Sequence, residues 1–222
     1  MIKKVFFITF MLITAINYAQ KNPENLLGSW YMYNGSHKLT EKFTLKTAIH
    51  FRYFELIEEY QQEIYRLGVN YKITKQLNFT LGAVYSIKDE SYKENLPDLY
   101  EYRFYQDLNL KDKWGKFNVK HRIRLAQRFR RKNFENSTTH RIRYGLFVNY
   151  PISNTFTTYA FNEVFIKFAT KSFGENRTGF GFLQQISNQV KLKLGYMYTQ
   201  FSKTQSHRLQ IGVIVNTNHI KK

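Results

Sequence analysis

About ten stretches of this chain alternate apolar and polar residues, and the polar positions are crowded with arginine and lysine. Alternate residues of a β-strand point to opposite faces, so each stretch predicts a strand with one apolar and one cationic face. A soluble sandwich buries its apolar faces, whereas a transmembrane barrel turns them to lipid and keeps its charges in a wet lumen. The clearest stretch alternates Phe117, Val119, His121, Ile123, Leu125, Gln127 and Phe129 with Lys116, Asn118, Lys120, Arg122, Arg124, Ala126 and Arg128.

The first nineteen residues have the three-part pattern of a secretory signal. Lys3 and Lys4 give a positive start, residues 5–16 form an apolar run, and Asn17-Tyr18-Ala19 offers a cleavage site. A transmembrane anchor is the competing interpretation, but the run is shorter than the ~20 apolar residues that a spanning helix needs. We therefore predict a signal peptide at 1–19 and a single β-barrel domain at 20–222.

Charge and cysteine content narrow the possible partners. The chain has no cysteine, which excludes disulfides, Cys-zinc sites and thiol nucleophiles. Its formal net charge is +18. In a cytosolic protein such a charge would favour nucleic acid, whereas behind a signal peptide it favours phosphates of lipopolysaccharide, an anionic solute or a partly self-paired lumen. We predict outer-membrane lipid, lipopolysaccharide and a small anionic solute as partners, and no nucleic acid.

The lengths of the strands and of their connections also suit a membrane barrel. Many of the runs approach the ~9–11 residues that a tilted transmembrane strand needs. Connections alternate between short turns and longer polar loops, as in barrels whose short turns face the periplasm. The predicted turns are 73–76, 111–114, 151–154 and 187–189, and the predicted outer loops are 55–62, 89–97, 130–139, 167–176 and 201–206.

The number of strands depends on how residues 27–34 are interpreted. Ten strands follow residue 43, an even number as bacterial barrels require, and residues 27–34 form an additional short aromatic strand before a polar turn at 35–42. We predict an all-β, antiparallel, up-and-down transmembrane barrel of about ten strands, completed or capped by this short one, with twelve as the alternative. Residues 53–64 are the one helical candidate, interpreted as an outer loop, and residues 155–166 form a strand of undetermined facing.

Several short phrases add a resemblance that extends over nearly the whole mature chain. Through them the chain resembles the DUF2490 family of exported proteins, found mainly in Bacteroidetes-type bacteria. The resemblance implies an outer-membrane-type barrel and no assigned activity. The phrases are GSWY at 28–31, EYRFYQ at 101–106, HRIRL at 121–125, QRF at 127–129, RIRY at 141–144, NEVF at 162–165, NR at 176–177 and LGY at 194–196.

One position departs from the family pattern. Ala126 stands where family members often have an acidic residue before Gln127-Arg128. The resemblance therefore implies that one inward arginine of this chain lacks a partner that relatives have.

The polar strand faces together predict an ionic network in the lumen. Arginine stays charged and forms bidentate pairs with carboxylates, so Glu101 and Glu163 are suited to bind several arginines each. One hypothesis is a structural network that fills a narrow barrel. The other is an anion-attracting pore or solute site, since basic residues outnumber acidic ones. The predicted members are Arg52, Arg66, Glu101, Arg103, Arg122, Arg124, Arg128, Arg141, Arg143, Glu163 and Arg177.

Catalytic and metal-binding patterns are weak. Ser137 near His140 and Ser206 beside His207 lack a recognisable oxyanion element, and His50 and His121 lie elsewhere in the chain. The acidic cluster of Glu55, Glu58, Glu59 and Glu63 is typical of a solvated loop rather than a calcium site. We predict no enzyme activity, no catalytic residue, no metal and no cofactor.

These observations lead to one functional expectation with two alternatives. We expect an outer-membrane barrel of a Gram-negative cell, either structural or a passive pore with a basic lumen. A barrel that binds a ligand through its outer loops or its lumen is the main alternative. A soluble periplasmic barrel with an apolar interior is the minor one, because so dense an array of arginines on an outer face would be unusual.

Overall fold

A computed structural model describes residues 23–92, 96–168 and 172–220, and the predicted signal peptide lies outside these described residues. A single 3-10 turn at Pro23–Asn25 precedes eleven β-strands. In the described ranges, no helix is long and apolar enough to cross a membrane. The strands are β1 Leu27–Lys38, β2 Phe43–Tyr53, β3 Tyr60–Lys72, β4 Leu77–Lys88, β5 Leu99–Trp114, β6 Phe117–Lys132, β7 Glu135–Pro151, β8 Phe156–Lys167, β9 Ser172–Gln185, β10 Val190–Phe201 and β11 Gln205–Asn218.

The strands form one closed barrel in which every sequential pair is antiparallel. The barrel closes where β1 pairs in parallel with β11, from Leu27 opposite His207 to Lys38 opposite Asn218. Because eleven is odd, the first and last strands of an up-and-down barrel run in the same direction, and their pairing must be parallel. The predicted barrel is confirmed, and its strand number lies between the ten and the twelve considered.

Several strands are longer than their alternation predicts. β1 is a full strand to Lys38 that includes part of the predicted polar turn, and β5 continues to Trp114, so the predicted turn at 111–114 is displaced to Gly115 and Lys116. The predicted loop at 130–139 is a hairpin whose turn is Asn133 and Phe134. Asn133 has a φ of 53°, a left-handed conformation that Asn tolerates better than most residues. These strands therefore extend, through backbone hydrogen bonds to a neighbouring strand, beyond the residues in which apolar and polar side chains alternate.

The other connections differ less from the predictions. β3 begins at Tyr60, β9 at Ser172 and β11 at Gln205, so the predicted loops 55–62, 167–176 and 201–206 are all shorter. The helical candidate at 53–64 is a strand end, a bend and the start of β3. The connection 89–98 is the longest, and we call the end of the barrel that contains it the loop end and the opposite end the turn end.

The two faces of the wall have opposite chemistry. Leu67 and Phe104 on the outer face are 56% and 54% exposed, whereas Glu101 and Arg143 in the lumen are 2% and 7% exposed. Exposed apolar and buried charged side chains are the arrangement of a transmembrane barrel rather than a soluble one. In β8, whose facing the sequence left open, buried Tyr159, Phe161, Glu163 and Phe165 alternate with more exposed residues and face the lumen.

Aromatic rings in the lumen lie against glycines of neighbouring strands. A Cβ atom at Gly68 would lie 2.5 Å from the Tyr105 hydroxyl oxygen, and one at Gly82 would lie 2.5 Å from Tyr105 Cζ. A Cβ at Gly195 would similarly clash with the Tyr159 hydroxyl. Only residues without a side chain leave room for these rings along the wall.

This contact predicts a stability effect at Gly68. Gly68→Ala should lower the free energy of unfolding by about 1–3 kcal/mol, the usual cost of overpacking, because of the clash with the Tyr105 hydroxyl. In a Tyr105→Phe background that oxygen is gone, and the same substitution should cost less. Urea unfolding in lipid vesicles measures both values, and equal costs in the two backgrounds would contradict this packing.

Candidate functional site

The loop end of the lumen contains a cavity of about 390 Å³, near the lower limit of small-molecule sites. We call it the outer vestibule. Eleven basic and four acidic side chains line it, which leaves a large excess of positive charge. The basic residues are Arg52, Arg66, Lys88, Arg103, Arg128, Arg130, Arg141, Arg143, Lys167, Arg177 and Arg208, and the acidic ones are Glu24, Glu90, Glu101 and Glu175.

Glu101 binds three arginines of the outer vestibule. Its carboxylate accepts hydrogen bonds from Arg103 Nε at 2.8 Å, Arg128 Nε at 3.0 Å and Arg130 Nε at 3.2 Å. The register of β5 with β6 brings this group together, since Arg103 is opposite Arg128 and Glu101 is opposite Arg130. One carboxylate therefore partly compensates three guanidinium groups.

Three further carboxylates pair with five more lumenal arginines. Glu175 binds Arg177 at 2.9 Å and Arg141 at 3.4 Å. Deeper in the lumen, Glu163 binds Arg122 and Arg143, and Asp107 accepts two hydrogen bonds from Arg124. These charge-assisted pairs connect strands β5 to β9 across the lumen.

Arg52 and Arg66 differ from the other lumenal arginines, because neither has a carboxylate partner among the described residues. Arg52 donates to Gln62 Oε1 at 2.8 Å, and its guanidinium lies 3.6 Å from the centroid of the Trp30 ring. Arg66 lies 5.9 Å from the centroid of the Tyr105 ring and makes no side-chain hydrogen bond within the described residues. The Nε atoms of both arginines are buried without a hydrogen-bond partner.

The predicted lumenal residues divide into two groups. Arg52, Arg66, Glu101, Arg103, Arg128, Arg141, Arg143 and Arg177 line the outer vestibule, whereas Arg122, Arg124 and Glu163 lie deeper. Ala126 packs with Tyr105 in a small apolar cluster near Arg66, so an inward arginine without an acidic partner is present here. The acidic partner that relatives would supply at this position stays a prediction.

The sequence analysis missed several residues of the site. Asp107 and Arg208 occupy inward positions of strands that the sequence had predicted. The alternation of apolar and polar residues in those strands could therefore have identified both as lumenal. Arg208 pairs with Glu24 at 2.7 Å and donates to the Leu26 carbonyl at 2.9 Å. Glu175 and Arg130 lay in segments predicted as loops, where both strand faces are polar and no apolar pattern marks the facing.

Glu90 is an acidic residue of the outer vestibule that lies outside the strands. Partial burial alone would raise the pKa of the Glu90 carboxyl, but Lys88 and Lys132 bind it at 3.3 and 3.1 Å and hold its pKa below the usual range. Glu90 thereby connects the 89–98 segment to the end of β6. As the pH falls through this lowered pKa, protonation removes the stabilising contribution of the two contacts.

The lumen is filled at mid-height. We call Tyr105, Phe147, Tyr159, Phe161 and Met197 the lumen layer. Four of these residues are buried, and Phe147 is partly buried against them and stacks on Phe161 at 5.9 Å between ring centroids. Arg124, which lies 4.3 Å from the Tyr105 ring, is only 3% exposed. Side chains so inaccessible to water show that this part of the lumen has no wide aqueous channel.

Of the residues weighed for catalysis and metal binding, Ser206 lines the outer vestibule, and the others are not among its lining residues. His50 Nε2 donates a hydrogen bond to Asn34 Oδ1 at 3.1 Å, and His121 contacts the Tyr144 hydroxyl at 2.8 Å. His207 contacts the Tyr196 hydroxyl. Throughout the described ranges, no group of three or more His, Cys, Asp or Glu residues is arranged to hold a metal ion.

Comparison with known proteins gives a family and a fold. The sequence profile of a family described as "Protein of unknown function (DUF2490)" matches residues 27–210. A structure named "NanC porin structure in rhombohedral crystal form" is similar at 15% identity over 78% of this chain and 86% of that chain, with a TM-score of 0.51. LpxR from Salmonella typhimurium is similar at 12% identity over 81% of this chain and 85% of that chain, with a TM-score of 0.48. No curated protein matches.

Proposed function

The chain belongs to the DUF2490 family of proteins of unknown function, and we propose that it is an outer-membrane barrel that holds a small anionic solute in its outer vestibule. The loop end faces the outside of the cell and the turn end faces the periplasm, as the lengths of the connections favour. The apolar outer face contacts membrane lipid and lipopolysaccharide.

The observation that most favours this function is the uncompensated charge of the vestibule. Arg52 and Arg66 are partly buried, with buried Nε atoms and no ion pair to a carboxylate of the described residues, in a cavity where basic residues outnumber acidic ones by eleven to four. A buried charge without a partner costs several kcal/mol. An anion that enters the cavity would provide the missing partner for both guanidinium groups, and Arg is suited to bind carboxylate or phosphate oxygens in pairs.

Three other functions fit less well. A purely structural network would be expected to pair its buried arginines, as Arg124 pairs with Asp107. Ligand binding by the loops alone is disfavoured, because two of the predicted loops are largely strand. A permanently open pore is disfavoured by the filled lumen layer, so we propose that the solute is held rather than passed freely.

Trp30 allows a direct test of anion binding. Arg52 and Arg177 lie 3.6 and 5.1 Å from its ring, and Trp114→Phe would leave Trp30 as the only tryptophan. Inorganic phosphate that draws these guanidiniums away should change Trp30 emission saturably. Arg66→Gln should weaken the apparent affinity by about tenfold or more, as expected for the loss of a hydrogen bond to a charged group.

The control variant for this titration is Lys42→Gln, an exposed residue in the turn that follows β1. It should leave the apparent affinity unchanged, and a heat-dependent shift in gel mobility verifies that each variant is folded. If phosphate, sulfate and small carboxylates all leave Trp30 emission unchanged in the folded protein, the proposed function is wrong.

A further inference from the structure

The turn end of the lumen contains a second cavity, of about 670 Å³, whose chemistry differs from that of the outer vestibule. We call it the inner vestibule. Five lysines line it, and Glu41, its one acidic residue, pairs with Lys38 at 3.0 Å. In the part of the chain that the structure describes, no arginine lines this cavity. The lysines are Lys38, Lys46, Lys72, Lys75 and Lys111, with amides and hydroxyls of neighbouring side chains between them.

Two more lysines lie between the vestibules, on the rings of the lumen layer. Lys120 Nζ lies 4.2 Å from the centroid of the Phe147 ring, and Lys193 Nζ lies 4.8 Å from that of Tyr159. Over the described residues, neither ammonium group has a carboxylate or hydrogen-bond partner. Both residues lie near the ends of β6 and β10 that belong to the turn end, so they are on the side of the lumen layer nearer the inner vestibule.

We infer that the lumen is an anion route, in which Lys120 and Lys193 transfer an anion from the outer to the inner vestibule when the rings of Phe147 and Phe161 turn aside. This inference rests on the proposed function, because the outer vestibule must first bind the anion. It adds an activity, translocation toward the periplasm, and a second anion site lined by lysine.

The change from arginine to lysine along the lumen supports this direction. Arginine has a planar fork that holds oxyanions at several points, whereas lysine is a mobile, strongly hydrated point charge. Conduction requires sites that bind an anion well enough to admit it and weakly enough to release it. Arginines on the loop side are therefore suited to capture, and lysines on the turn side are suited to release.

The contacts of the lumen layer suit an opening caused by the anion itself. Phe147 and Phe161 stack at an interplanar angle of 22°, and Lys120 lies on the Phe147 ring. A charge-assisted contact between an ammonium group and an anion is stronger than its contact with a ring. An anion that reaches Lys120 would draw the ammonium group away and remove a contact that holds the Phe147 ring in place.

Planar-bilayer conductance in potassium chloride tests the route. The wild-type protein should conduct little, and the Phe147→Ala Phe161→Ala variant should open a pore that prefers chloride to potassium. Adding Lys120→Gln and Lys193→Gln should lower this preference by about tenfold. Lys203→Gln, an exposed residue between β10 and β11, is the control and should leave it unchanged. An open lumen without chloride preference would overturn the inference.

A second measurement does not depend on the phenylalanine variants. Because the chain has no cysteine, Lys193→Cys introduces its only thiol. In liposomes containing phosphate, an anionic methanethiosulfonate should modify this thiol about tenfold faster than a cationic one. An unreactive thiol, or equal rates, would contradict the route. If the thiol is not modified selectively but Trp30 emission still responds to phosphate, the proposed function stands and only translocation fails. If the lumen is anion-selective but Trp30 emission does not respond to phosphate, the outer anion site is wrong instead.

Discussion

Glu101→Gln is expected to lower the free energy of unfolding of the barrel by about 3–5 kcal/mol, the usual effect of removing one partner of a buried ion pair. The Glu101 carboxylate is 2% exposed and accepts hydrogen bonds from Arg103, Arg128 and Arg130. Glutamine keeps the shape of the side chain but removes its charge. Three guanidinium groups would then share a buried site without the anion that compensates them.

Urea unfolding in phospholipid vesicles, followed by far-ultraviolet circular dichroism, measures this loss. The matched control is Glu41→Gln, which breaks a pair with Lys38 at 3.0 Å in which the glutamate side chain is 71% exposed. Exposed pairs of this kind contribute about 0.2–1 kcal/mol, so the control should be nearly neutral. A Glu101→Gln variant as stable as the control would show that water or ions, rather than Glu101, compensate these arginines.

The facing of each strand could be predicted where apolar and polar residues alternate, and not elsewhere. In β6 alternation alone separates the outward Ile123 from the inward Arg124. In β8 both faces contain apolar groups, and the inward position of Tyr159 depends on room left by Gly181 and Gly195 of the neighbouring strands. Alternation within a strand contains no information about its neighbours, so the aromatic lumen layer was not predictable from it.

Alternation within a strand could not predict how the barrel closes either. The pattern of residues 27–34 indicates a strand, but not that it pairs in parallel with the last strand. Glu175 illustrates the corresponding limit at the site, because its strand becomes regular only through pairing with β8 and β10. Long-range pairing therefore fixed the features that local sequence left open, namely the strand number and the acidic partners of Arg141 and Arg177.

The second large effect concerns Arg66, and its expected sign is opposite to that of Glu101. Arg66→Met should raise the free energy of unfolding by about 1–2 kcal/mol, because it removes a partly buried charge that has no ion pair to offset its loss of hydration. The guanidinium has no carboxylate partner among the described residues, and its Nε is buried and unsatisfied. The same substitution should weaken phosphate binding by about tenfold or more, as in the Trp30 titration.

Arg124→Met is the matched control for this prediction, since it makes the same chemical change at a paired arginine. Asp107 would be left buried and unpaired, so the free energy of unfolding should fall by about 3–5 kcal/mol. Opposite signs at the two positions would mean that the fold tolerates Arg66 at a cost in stability, as expected of a residue kept for a ligand. If Arg66→Met destabilises the barrel as Arg124→Met does, Arg66 is part of the structural network, and the outer vestibule loses one of the two arginines on which anion binding depends.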